Sequence, residues 1–429
     1  MKMKLLPISA AIAAILSPMS IYAEDIKTTA SAAEESEQPL ILSADTEVNT
    51  DLVFSGYARY GLHYSDDFKE YVGAEGQLSG NAAGRLGNEG NGGEFQFTKA
   101  FVADNGAIWD VAVMLEHWGD NVGLKKFYAG VTNIFEAQPN AYLWAGRDFH
   151  QRPQEGLNDY FMMEHDGQGA GVYNLDIGSV KLDFAVVAKA GSGPGDSENY
   201  AFTSKLHDIN LGASNNLSFL FNYGFESDEY FSADDEENGD GEEGKVKNGD
   251  KTTAYQLAAV LDTNYSNGST KFTLRYADNA DNSTFNKTED LTTLYGSFQG
   301  NFKVSEKWDT EFLVSYHDYK NDGEEMDEAG NDTRSRTGYS AIVRPMYNWN
   351  AVHSTWLEAG YSLVDYENEG ENDAWKVTLS QNISFDMAGA RPMLRLYATV
   401  GEANNEASVY TYDKKQDTLA IGAMFESWW

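Results

Sequence analysis

Residues 418–429 read TLAIGAMFESWW. With a period of two, Leu419, Ile421, Ala423, Phe425 and Trp429 fall on one face, and Thr418, Ala420, Gly422, Glu426 and Trp428 on the other. That is a strand with one oily and one mixed side, ending on an aromatic ring. It suits the closing strand of a transmembrane barrel, with Trp429 in the interfacial girdle. An ordinary antiparallel edge strand has the same alternation. Recurrence decides between them, because the pattern returns between turns all the way back to residue 52.

The stretch Leu52 to Tyr64 puts Leu52, Phe54, Ala58, Tyr60, Leu62 and Tyr64 outward and Ser55, Tyr57, Arg59, Gly61 and His63 inward. An inward arginine is costly in a dry core and natural in a wet lumen. In 271–277, Phe272, Leu274 and Tyr276 oppose Lys271, Thr273 and Arg275. In 181–189, Leu182, Phe184, Val186 and Ala188 alternate with Lys181, Asp183 and Lys189. From residue 375, Trp375, Val377, Leu379, Ile383 and Phe385 oppose Lys376, Thr378, Ser380, Asn382 and Asp386.

Such runs start near residues 51, 94, 108, 124, 141, 169, 179, 200, 216, 252, 270, 290, 307, 337, 353, 373, 393 and 418. The expected fold is all-β, a transmembrane antiparallel β-barrel of about 18 strands, an even number as in bacterial outer-membrane barrels. Short connections such as 104–107, 213–216 and 305–307 are expected at the periplasmic end and long ones at the outer end.

The first 23 residues carry Lys2 and Lys4, an apolar run from Leu5 to Leu16, and a small-residue ending at Ala23, the pattern of a secretory signal. No other apolar run approaches the roughly 20 residues of a membrane helix, so any span must be made of strands. Residues 24–50 are polar, acidic and without periodicity, as in a flexible leader; the barrel then occupies 51–429. Formal net charge is −36, or −38 once Lys2 and Lys4 leave with the signal. This acidity argues against nucleic acid as a partner. The chain has no cysteine, which excludes disulfides and thiolate metal sites. Its 22 Phe, 25 Tyr and 9 Trp are enough for interfacial belts and for stacking surfaces.

Two apparent motifs dissolve on inspection. GDGEEGKV (239–246) nearly spells a phosphate loop, but Val246 lacks the hydroxyl a magnesium ion needs, and Glu242 and Glu243 repel phosphate. Asp234, Glu236, Asn238 and Gly239 have calcium-loop spacing, yet Lys245 stands where the bidentate glutamate belongs. The segment reads as a solvated outer loop. No obligatory cofactor is expected, and weak divalent-cation binding is the most such acidic loops offer. The seven histidines are scattered, with neither an HExxH helix nor a GxSxG elbow, so an enzyme reading has no catalytic nucleus.

The most informative internal stretch is WAGRDFHQRPQEGLNDYFMMEHDGQG (144–169). A strand ends near Arg147, and the long connection that follows mixes Arg152, Glu155 and Asp159 with Phe149, Tyr160, Phe161, Met162 and Met163. So apolar a loop avoids water, which predicts that it folds inward and narrows the pore; packing on a neighbouring subunit is the alternative.

With these pieces in place, the chain resembles the maltoporin family of sugar-specific outer-membrane porins. The resemblance is carried by FSGYAR (54–59), RLGNE (85–89), WAGR (144–147), Phe149 to Arg152 with Asp159 downstream, VRPMY (343–347), ARP (390–392) and the closing Trp428-Trp429, in order along the barrel. It implies a homotrimer in the outer membrane of a Gram-negative bacterium, in contact with lipid and lipopolysaccharide, passing maltose and maltodextrins along an aromatic slide flanked by a polar track. Tyr57 and Trp428 match slide positions. Trp118 lies near the place where a loop donates a tryptophan to the neighbouring pore, and Tyr255 stands for a mid-pore aromatic. Arg59, Arg85, Arg152 and Asp159 match the polar track, joined by Lys125 and Glu94, and Phe161 matches a constriction tyrosine. Two aromatics of the pattern are missing: Gly389 replaces one, and Gly90-Asn-Gly-Gly-Glu94 follows RLGNE where another is expected. A general diffusion porin with weak selectivity is the nearest alternative, and an outer-membrane enzyme or adhesin a more distant one.

Overall fold

The computed structural model describes residues 48–65, 71–119, 121–190, 199–227, 229–231, 245–247, 252–323, 326, 332–385, 392–409 and 414–429. The secretory signal, nearly all of the leader, most of the acidic segment 227–250, and Gly389 lie outside them.

Eighteen strands form one closed antiparallel barrel. In chain order they are β1 (Leu52–Ser65), β2 (Gly92–Val102), β3 (Ile108–Trp118), β4 (Val122–Thr132), β5 (Tyr142–Asp148), β8 (Gly167–Asp176), β9 (Lys181–Lys189), β10 (Asn199–Asn210) and β11 (Asn215–Glu226). They continue as β14 (Ala254–Tyr265), β15 (Gly268–Asp278), β16 (Leu291–Lys303), β17 (Trp308–Asn321), β18 (Arg336–Asn348), β19 (His353–Tyr366), β20 (Gly370–Ser384), β21 (Met393–Asn405) and β22 (Lys415–Trp428). Two small hairpins, β6 (Gln154–Glu155) with β7 (Tyr160–Phe161) and β12 (Glu229–Phe231) with β13 (Lys245–Lys247), sit in connections. Each barrel strand pairs with the next, and β22 returns to β1 from Tyr57↔Trp428 to Ser65↔Ala420, so no edge is left open. Every strand starts within three residues of its expected position.

Alternation sets the two faces. Leu419, Ile421, Phe425 and Trp429 are exposed on the outside, as are Leu52, Phe54, Tyr60, Leu62 and Tyr64, whereas Thr418, Ala420 and Glu426 are buried inside. Among the described residues no helix is long and apolar enough to cross a membrane. The apolar band belongs to the strands, whose backbone groups are satisfied by their neighbours.

The inside is less wet than alternation alone suggested, because at least three connections among the described residues fold into the barrel where one was expected. Residues 71–91 lie against β18–β20: Ser340 donates to the Ala82 carbonyl at 2.6 Å, the Leu86 N–H to Glu358 at 2.8 Å, and Lys376 to the Leu86 carbonyl at 2.6 Å. Residues 149–166 cross the lumen as expected and reach β16, where Tyr295 and Ser297 donate to Glu155. The Arg85 N–H to the Leu157 carbonyl (2.9 Å) and Asn81 N–H to the Asn158 carbonyl (2.6 Å) tie these two insertions together. Residues 279–290 form the third, with Phe285 packed among Trp144, Tyr173 and Val187.

Fully buried arginines follow from this filling. Arg275 is held by Asp281 and by the Tyr160 hydroxyl at 3.2 Å, and Arg395 by Glu89 and Glu426 at 2.7 Å each. Their partners, rather than water, meet the cost of burying the charge.

A candidate permeation path inside the barrel

The site is built on the seam between the last and first strands. Inward alternation brings Tyr57 of β1 opposite Trp428 of β22 and opposite Glu94 of β2. The Tyr57 ring lies 6.4 Å from Trp428 at 24° and 6.4 Å from Trp118 at 30°, so three rings run in a row with Tyr57 in the centre. The Arg59 guanidinium lies 5.2 Å from the Trp118 ring. Trp118 can lean over because its register partner is Gly92, where an added Cβ would lie 2.2 Å from the indole.

Trp118 therefore lies beside Tyr57 and Arg59 of its own chain.

Facing the rings is the inserted loop. Arg59 pairs with Asp159 at 2.9 Å, linking the β1 wall to the loop. Arg85 is buried, pairing with Glu426 at 3.0 Å and reaching Asp159 at 3.6 Å. Arg152 lies between Phe149 and Phe161, 4.2 and 4.0 Å from their centroids, with Asp166 at 3.5 Å. A register shift at Met114/Leu115 lets consecutive Lys125 and Lys126 both turn inward; Lys125 pairs with Glu116 at 3.3 Å and Lys126 with Asp148 at 3.3 Å. Glu94 stands inward between Tyr57 and Glu116. The arrangement gives a row of aromatic faces bordered by fixed charges of both signs. It suits a ligand with apolar faces and a rim of hydroxyls.

Tyr255 does not belong to this cluster. Gln256 takes the inward position, accepting from Asn222 at 3.1 Å and donating to the Asp281 carbonyl, so Tyr255 is turned to the outer face with Leu257 and lies 6.0 Å from Tyr276. A tyrosine suits a lumen and an interfacial girdle equally well, so the residue type alone does not assign its face.

Several charged groups at the site carried no role in the sequence reading. Glu426 was placed inward, but its hydrogen bond from the Tyr57 hydroxyl (3.0 Å) and its pairs with Arg85 and Arg395 needed the closed seam to appear. Glu116 and Lys126 needed the β-bulge to appear.

Burial inside the barrel shifts the loop's own titrating groups. It pushes Asp166 up to about 6, against the opposing pull of Arg152. It lowers His150 to about 4 and His165 to about 3, so both are neutral at pH 7. Glu155 is raised by burial, with the Ser297, Tyr295 and Asn158 hydrogen bonds acting the other way.

A closed barrel with an apolar exterior and a charged, loop-narrowed interior defines an outer-membrane porin, a channel that crosses the Gram-negative outer membrane with its strands. The chain belongs to the LamB porin family, whose model matches residues 52–429, the whole barrel. Among solved structures it is similar to the outer-membrane expressed OmpT of Vibrio cholerae (10% identity, 90% of this chain and 99% of that one, TM-score 0.47). It is also similar to OpdO of Pseudomonas aeruginosa (10%, 88% and 97%, 0.48) and to an anion-selective porin from Comamonas acidovorans (12%, 88% and 99%, 0.43).

Proposed function

We propose that this porin passes maltose and maltodextrins by facilitated diffusion, without chemistry and without an obligatory cofactor. The observation that carries the reading is the row Trp118–Tyr57–Trp428, spaced at 6.4 Å and bordered by Arg59, Asp159, Glu94 and Lys125. Glucosyl rings stack their apolar faces on such a row while their hydroxyls exchange partners along the charges. Arg85, Arg152 and Phe161 hold and narrow the path. Family membership supports a channel and favours the same reading.

In this proposal the barrel works as a homotrimer in the outer membrane, in contact with lipid and lipopolysaccharide. An outer apolar groove lined by Ala58, Gly93, Phe95, Phe425 and Trp429 offers a packing surface between copies. Liposome swelling tests the function: maltotriose should enter faster than raffinose, a non-maltodextrin trisaccharide of the same mass. Equal rates would leave a general diffusion porin.

A further inference from the structure

Above the three rings, on the same sector of wall, lies a second aromatic group. His63 of β1 points inward, its ring 5.8 Å from Tyr71 and 6.0 Å from Tyr397 of β21. Its Nδ1 lies 3.0 Å from the Tyr397 hydroxyl, which fixes the imidazole plane. Its Nε2 is shielded from water and has no hydrogen-bond partner among the described residues.

The group is built, not incidental. Tyr397 crosses β22 at Gly422, the register partner of both Tyr397 and His63; an added Cβ there would lie 2.1 Å from the Tyr397 ring. The ring therefore lies across a bare strand to meet the imidazole. Tyr71 begins the described part of the first inserted connection and is 41% exposed. Its backbone neighbour Val72 is anchored by Asn88 in both directions, N–H to Oδ1 at 3.2 Å and Nδ2 to the carbonyl at 2.7 Å. An exposed ring on an anchored backbone is a pre-organised platform.

Position gives the platform its use. His63 follows Tyr57 by six residues on β1, about 20 Å along the strand toward the long-loop end. A solute entering from that end meets Tyr71 and His63 before Trp118 and Tyr57.

We propose that Tyr71, His63 and Tyr397 form an entry subsite that stacks the leading pyranose ring of an oligosaccharide before it reaches Tyr57. The inference rests on the saccharide reading above and adds the site of first capture. A sugar long enough to touch both groups is held at the mouth while its leading end finds the inner row. Maltose gains little from the pair, because it cannot span the distance.

Current-noise analysis in planar bilayers separates association from dissociation. Maltose and maltohexaose are added to the long-loop side of wild type, Tyr71→Ala and Tyr71→Phe. Tyr71→Ala should slow maltohexaose association several-fold and leave maltose dissociation unchanged, whereas Tyr71→Phe should match wild type because it keeps the ring. Wild-type block with the same maltohexaose kinetics in Tyr71→Ala overturns the subsite and leaves the saccharide reading standing. No block of wild type by either sugar overturns both.

Discussion

The Tyr57 hydroxyl donates to Glu426 at 3.0 Å across the seam that closes the barrel. The same carboxylate pairs with Arg85 at 3.0 Å and Arg395 at 2.7 Å, so one side chain ties the central ring of the row to the first inserted connection and to β21. Glu426→Gln keeps the shape but removes the charge between two buried guanidiniums. Leaving buried charge without its partner costs about 3–5 kcal/mol, and Glu89 remains to offset part of it. We expect destabilisation of about 3 kcal/mol, read as a lower urea midpoint in detergent, together with weaker sugar binding. A midpoint at the wild-type value would show that the seam charge is not structural.

Phe161→Ala should raise single-channel conductance. It removes a ring from the narrowed region and frees Arg152 from one of the two aromatic faces that hold it. Unchanged conductance would place the narrowest point elsewhere.

Ion selectivity should change with pH near 6. Burial raises Asp166 to about 6, so it is ionised beside Arg152 at pH 7.5 and largely neutral at pH 5. Protonation removes a negative charge near the constriction, and the cation-to-anion permeability ratio should fall as pH drops through 6. Reversal potentials in a KCl gradient would show the step, and Asp166→Asn should abolish it. The stability sign is the reverse of a salt-bridged carboxylate's. With a folded value above the unfolded value of about 3.9, this group favours the fold at low pH and withdraws that support as pH rises from about 4 to 6.

The two tyrosines of the expected slide should behave differently on substitution. Tyr57→Ala, which removes the middle ring, should weaken maltodextrin binding by about 0.5–1.5 kcal/mol per lost stacking contact, several-fold to tenfold in affinity. Tyr255→Ala, on the outer face, should leave affinity unchanged. Equal losses in current-block titrations would contradict the assigned faces.

Much of this architecture was legible in the chain because a barrel writes its two solvents into every strand. Leu419, Ile421 and Phe425 against Thr418 and Glu426 gave the faces of β22 directly, and the start of each strand followed from the same period. The inward turn of residues 149–166 was also legible, since Phe149, Phe161, Met162 and Met163 are too apolar for an outer loop. Residues 71–91 gave no such warning. They are rich in Gly, Ala and Asn, and they lie inside through backbone groups that bond Ser340, Glu358 and Lys376 on distant strands. Local periodicity carries no trace of those contacts. Nor could it show that Lys125 and Lys126 both face inward, because a β-bulge breaks the alternation that assigns faces.

We propose that Trp118, Tyr57 and Trp428 bind glucosyl rings in series inside one chain's pore. The most direct test of this proposal is current block of the wild-type channel in a planar bilayer with maltose through maltohexaose. Block should be saturable, with affinity rising as each added unit covers another ring and levelling off once the rings are occupied. Current that falls only slightly and linearly with sugar concentration, without dependence on chain length, would contradict it.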